Sequence, residues 1–193
     1  MKSIQWLALC AFCVSVLGGT LTKGQTTPQS PQEPKTRLQA FEAQTCVVII
    51  KGLSRIGSVS SQNGGTVSVE SREFIDAGTG RREFGIVVDV KKVGDPELES
   101  SSYIDYDEIE SLLSGIDYIS KVQRSVTKLD DFEAVYHTNG DFKISTFSTL
   151  KNRTVVAVSS GEPNEIIVLL PFPKLDDLRA LIASAKAKLD AIK

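Results

Sequence analysis

Residues 105–122 read DYDEIESLLSGIDYISKV, and this stretch decides the fold class. Its aliphatic residues recur at intervals of three and four, which is the spacing of one face of an α-helix. Asp105 and Glu108 have the spacing of a capping box, so we expect the helix to begin just after Asp105. Gly115 interrupts the pattern and predicts a weakened or bent middle. The buried stripe should comprise Ile109, Leu112, Leu113, Ile116, Ile119 and Val122.

Strand patterns precede this helix. Residues 47–50 are β-branched, 66–71 alternate apolar and polar side chains, and 84–90 place alternate apolar residues on one face. Period-two alternation is typical of a half-buried strand. Residues 63–65 and 77–80 contain the glycines that tight hairpin turns require, which predicts antiparallel pairing.

The second half of the chain repeats this order. Four further short strands are predicted around 132–136, 142–146, 154–158 and 165–170, and the prolines that follow end the last strand. A final amphipathic helix then carries Leu175, Leu178, Leu181, Ile182, Ala185, Leu189 and Ile192 on one face.

The two helix starts also agree in residue type. Residues 107–113 and 176–182 both read acid, acid, aliphatic, two variable positions, aliphatic, aliphatic. The sequence therefore predicts an antiparallel α+β fold with two amphipathic helices. It is consistent with a duplicated unit of four strands and a helix, with halves 38–124 and 125–193. In topology alone, without a shared motif, this order resembles the strand–helix repeat of Whirly-type single-stranded-DNA binders.

The predicted core combines the apolar faces of these strands and helices. Its members are Val47, Ile49, Phe84, Ile86, Val88, Ile109, Leu112, Ile116, Phe132, Ile144, Val156, Val158, Ile166, Val168, Leu178, Leu181 and Ile182.

Residues 1–24 have the pattern of a secretory signal peptide. Lys2 is followed by an apolar run from Ile4 to Leu17, which is shorter than the ~20 residues of a membrane span, and then by small residues. Residues 25–37 are rich in Pro and Gln and predict a disordered linker before a single folded domain at 38–193. We therefore expect a secreted or periplasmic protein whose mature chain has no stable membrane insertion.

Cysteine content and charge narrow the classes of protein further. Removal of residues 1–24 leaves only Cys46, so no internal disulfide is expected, and Cys46 is predicted to be a small buried side chain. The chain has 22 basic and 24 acidic residues, without a polybasic run. Basic residues are not concentrated and aromatic residues are few, so the prediction is no nucleic acid among the partners.

No residue pattern assigns a catalytic residue, a cofactor or a metal ligand. The acids Asp105, Asp107, Glu108 and Glu110 lack the glycine and the spacing of a calcium loop and are expected to be a helix start. His137 is expected at a strand end, and Ser159-Ser160-Gly161 in a turn without the Gly-x-Ser-x-Gly elbow. Asn152 fits the glycosylation acceptor pattern.

Three hypotheses follow for function. The first is a non-enzymatic binding or interaction domain whose partner is an unknown protein or small ligand. The second is a carboxylate-dependent hydrolase or isomerase with a cleft between the two halves. The third is an envelope-associated structural protein.

Overall fold

The computed structural model describes residues 33–94, 98–149 and 154–193, and residues from Glu33 to Lys193 form one compact unit. The predicted signal peptide at 1–24, most of the predicted linker at 25–37 and Asn152 lie outside the described residues. Within the described residues, no helix combines the length and the apolar composition needed to cross a bilayer.

The described chain forms three α-helices and eight strands. In order they are α1 (Arg37–Glu42), β1 (Ile49–Ser60), β2 (Gly65–Asp76), β3 (Arg82–Lys92), β4 (Leu98–Asp105), α2 (Ile109–Ile119), β5 (Glu133–His137), β6 (Phe142–Ser148), β7 (Thr154–Ser160), β8 (Ile166–Leu170) and α3 (Lys174–Asp190). Short 3₁₀ helices occupy Tyr106–Glu108 and Arg124–Val126. Strands β1–β4 form sheet A and β5–β8 form sheet B, each antiparallel in sequential order. The predicted antiparallel α+β class is confirmed.

The hairpin turns explain several glycines. Gly64 and Gly80 adopt φ values of 80° and 73° in the turns β1–β2 and β2–β3, a region that glycine enters without a Cβ clash. In the β5–β6 turn the positive φ of 64° falls on Asp141. Gly140 of the same turn serves close packing, because a methyl group there would lie 1.9 Å from the carbonyl oxygen of Tyr103.

Each sheet is covered on its core face by the helix that follows the other sheet. Helix α3 packs against β1, β2 and β3, whereas α2 packs against β5 and β6, and the two helices touch. The tyrosine hydroxyl of Tyr136 donates a 2.8 Å hydrogen bond to Ser111 Oγ of α2. Gly115 lies against the same ring, since a methyl group there would be 2.3 Å from Tyr136 Cδ2. The glycine that interrupts the helical pattern therefore permits close packing between α2 and β5.

One large cluster of buried side chains joins the two sheets and both long helices. Most predicted core residues are buried in it: Ile86, Val88, Ile109, Leu112, Ile116, Ile144, Val156, Val158, Ile166, Val168, Leu178 and Ile182. Phe84 and Leu181 pack against it while partly exposed, and Phe132 is also partly exposed. Ile49 instead joins a second, smaller cluster.

Several local predictions are wrong. Val47 is 43% exposed and Cys46 is exposed, because the strand that they were expected to begin starts only at Ile49. Asp105 makes no side-chain cap to the helix that follows it. Val122 lies beyond the end of α2 at Ile119, and Ile192 lies beyond the end of α3 at Asp190 and is 50% exposed. Ser159 and Ser160, which were expected in a turn, are the last two residues of β7.

Helix α1 packs on the outer face of sheet A, which is the face turned away from the main core. Leu38 and Phe41 bury themselves against Phe74 and Val87, with Tyr103 packed alongside. Thr36 and Gln39 form a reciprocal capping box at its start. This helix was not predicted. Its cap, Thr36, and first residue fall at the end of the range assigned to the linker.

Candidate functional site

The four acidic side chains within residues 105–110 interact with different groups of the protein. Asp105 accepts hydrogen bonds from the backbone N–H groups of Arg37 (2.9 Å) and Leu38 (3.0 Å), and so caps α1 from a distant part of the chain. Asp107 binds the Arg37 guanidinium, which holds the pKa of Asp107 below its usual range. Glu110 pairs with Lys186 at 3.2 Å.

Glu108 has a raised pKa. Its Oε1 accepts a 2.8 Å hydrogen bond from the backbone of Asn139, whereas Oε2 is buried without a partner among the described residues. Burial raises the pKa, because it penalises the charged form. Neither of the two cavities described below is lined by any of these four acids.

The histidine and serine side chains considered as base and nucleophile do not lie close together. His137 is exposed at the end of β5 and lies opposite Lys143, which in turn lies opposite Ser159. Two strand spacings, about 10 Å, therefore separate His137 from Ser159. Ser159 donates its hydroxyl hydrogen to Glu165 at 2.6 Å. Ser160 is fully buried.

Ser160 belongs to a polar cluster between the sheets. Its Oγ lies 3.0 Å from Ser100 Oγ and 2.6 Å from Ser102 Oγ. The three hydroxyls satisfy one another where β4 passes β7, so the cluster serves packing. Over the described ranges, no group of three or more His, Cys, Asp or Glu side chains is arranged to hold a metal ion.

The outer face of sheet B carries exposed apolar side chains beside the polar residues Glu133, His137, Lys143, Ser145 and Ser159. Its apolar members are Val135, Phe147, Val155, Ala157, Ile167 and Leu169, each on the strand face opposite the core. Val135, Ile167 and Leu169 remain 41%, 44% and 45% exposed, while their neighbours Ile166 and Val168 are buried. Contiguous exposed apolar surface of this kind marks an interaction site.

A cavity of about 890 Å³ lies at one end of this face. Phe147, Val155 and Leu169 form its floor, with Leu170 and Pro171 beyond them. Its polar rim consists of Ser61, Gln62, Asn63, Asp131, Ser148, Thr149 and Thr154. The rim is positioned by the β1–β2 turn, where Ser61 Oγ donates a 2.7 Å hydrogen bond to the carbonyl of Leu169.

A second, smaller cavity of about 590 Å³ lies at the end of α2. Tyr118 and Val126 are its large exposed apolar residues, with Asp117 and Lys121 beside them. It is formed by a helix end and the following loop, and its apolar side chains do not continue onto a sheet.

Sequence reasoning found the strand β8 but missed its outward residues as a surface. Residues 166–170 are five consecutive aliphatic residues, so no polar alternation distinguishes the buried face from the exposed one. The same continuous aliphatic run could have indicated the exposed surface. A strand that is apolar on both faces needs a covering layer on each face, including when it lies at the edge of a sheet.

No protein-family model matches the chain, and no curated protein matches it.

Proposed function

We propose that this protein is an exported, non-enzymatic binding domain that holds a partner on the outer face of sheet B. Export rests on the signal-peptide pattern of residues 1–24. Binding rests on one observation, the exposure of Val135, Ile167 and Leu169 on the face whose end forms the cavity lined by Leu169, Phe147 and Val155. Concave, largely apolar sites with a few polar groups at the rim are the usual form of a binding site.

The physical cost of leaving this face open supports the proposal. Each apolar side chain gains about 1.5–3 kcal/mol when it passes from water into a packed environment. Sheet B already has a covered core face, so exposed aliphatic residues on its second face do not contribute to the fold. Polar residues commonly occupy the outer face of an antiparallel sheet; here Glu133, His137, Lys143, Ser145 and Ser159 share that face with six apolar residues.

The test uses the uncharged fluorescent apolar probe Nile red. We expect saturable binding to the wild-type protein, reduced by Leu169→Lys, which places a charge on the cavity floor. Leu53→Lys is the matched control, since Leu53 is 53% exposed on the outer face of sheet A. Absence of saturable binding, or equal loss in both variants, would contradict the proposal. Far-ultraviolet circular dichroism establishes that both variants are folded.

A further inference from the structure

The outer face of sheet A shows how a helix can pack on an apolar sheet face. There, α1 lies across the third strand and packs Phe41 on Phe74 with ring centroids 6.3 Å apart. Leu38 sits directly over Gly85, since a methyl group on that glycine would be 3.0 Å from Leu38 Cδ2. A short amphipathic helix with apolar residues three apart therefore covers this half of sheet A.

Sheet B carries part of this arrangement without a helix over it in the described part of the chain, although the buried polar Ser159 stands where sheet A has Val87. Phe74 lies near the end of the second strand of sheet A, and Phe147 near the end of the second strand of sheet B. On the third strand of sheet A, Phe74 pairs with Glu83, and Gly85 lies two residues after Glu83. On the third strand of sheet B, Phe147 pairs with Val155, and Ala157 lies two residues after Val155. The cavity beside Phe147 thus opens at the position that α1 fills on sheet A.

From this correspondence we infer that the outer face of sheet B binds an amphipathic helix of a partner protein, with apolar residues at positions i and i+3. The inference rests on the proposed function and names the class of partner. The helix packs its first apolar residue over Ala157 and its second against Phe147 and the cavity floor.

The size of the face fits one helix and a weak complex. Four strands of five to seven residues span about 19 by 20 Å, or about 400 Å². Face-to-face pairing of two copies would bury about 800 Å², which is less than the 1,200–2,000 Å² of a stable dimer interface, and a helix would bury no more, so its complex belongs to the weak, transient class. A helix 10–12 Å across with two to three turns fits the same surface.

Charge complementarity adds a feature to the partner helix. On sheet A, Glu83 lies opposite Phe74 and accepts a 3.2 Å hydrogen bond from Arg37, the residue before Leu38. On sheet B, Val155 holds the position of Glu83, and the acid beside Phe147 is the exposed Glu133 of the first strand, where sheet A has Lys51. The partner helix should therefore carry a basic residue beside its apolar pair.

The experiment titrates the isotope-labelled full chain with a synthetic peptide of residues 33–44, which contains α1 and serves as the probe. Expected are saturable shifts in nuclear magnetic resonance spectra at Val135, Phe147, Ala157, Ile167 and Leu169. The variant Leu169→Lys should weaken binding about tenfold, since it removes the burial of one leucine, while Leu53→Lys should bind as the wild type does.

Three control ligands complete the design. A peptide with Leu38 and Phe41 both replaced by serine, and one with Ala40→Pro, should not bind, because the first lacks the apolar pair and the second cannot form the helix. Equal binding of the proline peptide would overturn the inference in favour of an extended strand. Shifts at the same residues from a single-stranded oligothymidine, without peptide binding, would overturn it in favour of nucleic acid.

The two proposals fail separately. If the fluorescent probe binds in a Leu169-dependent manner and the helical peptide does not, the helix inference is wrong and the binding face stands. If neither ligand distinguishes Leu169→Lys from Leu53→Lys, both proposals are wrong.

Discussion

The hydroxyl of Ser71 in β2 donates a 3.0 Å hydrogen bond to the main-chain carbonyl of Ala185 in α3, and both residues are buried. This bond joins the first sheet to the last helix of the chain, 114 residues away. Each sheet is covered by the helix from the other half of the chain, and this hydrogen bond is a polar contact within that exchange of helices.

The exchange predicts that the halves do not fold alone. A fragment of residues 33–124 lacks α3 and leaves the core face of sheet A in water, so we expect a poorly dispersed nuclear magnetic resonance spectrum. Mixing it with a fragment of residues 125–193 should restore the dispersion of the intact chain. A well-dispersed spectrum from residues 33–124 alone would contradict the interlocked account.

Gly115→Ala tests the close approach of α2 to Tyr136. Alanine favours a helix by about 1 kcal/mol, whereas the added methyl group overlaps the ring, and overpacking costs about 1–3 kcal/mol. We expect a net decrease in the free energy of unfolding, measured in urea. Ser114→Ala, at an exposed position of the same helix, should not be destabilising. Equal stabilisation by both changes would show that the glycine is not needed for packing.

Asp105→Ala tests the cap that reaches α1 from β4. The change leaves the N–H groups of Arg37 and Leu38 without their acceptor, and we expect a loss of about 1–3 kcal/mol in the free energy of unfolding. Asp107→Ala removes an exposed ion pair with Arg37 and should cost about 0–1 kcal/mol. If Asp107→Ala proved the more damaging of the two, the capping role of Asp105 would be wrong.

Glu108→Gln tests the burial of the Glu108 carboxylate as a function of pH. Because folding raises its pKa, the protonated form stabilises the fold at low pH, and that contribution is lost as the pH rises through the folded pKa. Glutamine stays neutral, so we expect the variant to have the higher melting temperature at pH 7. The difference should vanish below about pH 4, where unfolded glutamate is also protonated.

The exposed substitution Glu110→Gln provides the control for charge removal alone. It should not reproduce the stabilisation at pH 7. A Glu108→Gln variant that gains nothing between pH 4 and pH 7 would show that the buried oxygen is not a cost to the folded state.

The long periodic elements could be predicted from sequence because their physics is local. Helices α2 and α3 follow from aliphatic residues at intervals of three and four, and β2 and β3 from alternation. Strand β4 was missed because LESSSYID offers serines at positions where alternation would need apolar residues. Among those serines, Ser100 and Ser102 form hydrogen bonds with Ser160 of the other sheet.

The remaining features depend on contacts between distant parts of the chain. Helix α1 has only six residues, too few to show a period, and its cap combines Thr36 with the distant Asp105. Cys46 has a φ of 63° in the turn before β1, so the apolar run after it was read two residues too early. The candidate surface escaped prediction because β8 is aliphatic on both faces.

The most direct test of the open face is a solvent paramagnetic relaxation measurement on the methyl groups of β8, with a soluble nitroxide added to the full chain. We predict strong relaxation enhancement for Ile167 and Leu169 and weak enhancement for Ile166 and Val168, following their alternating burial. Equal protection of all four residues would mean that the outer face of sheet B is already covered, and it would contradict the claim that this face is free to bind a partner.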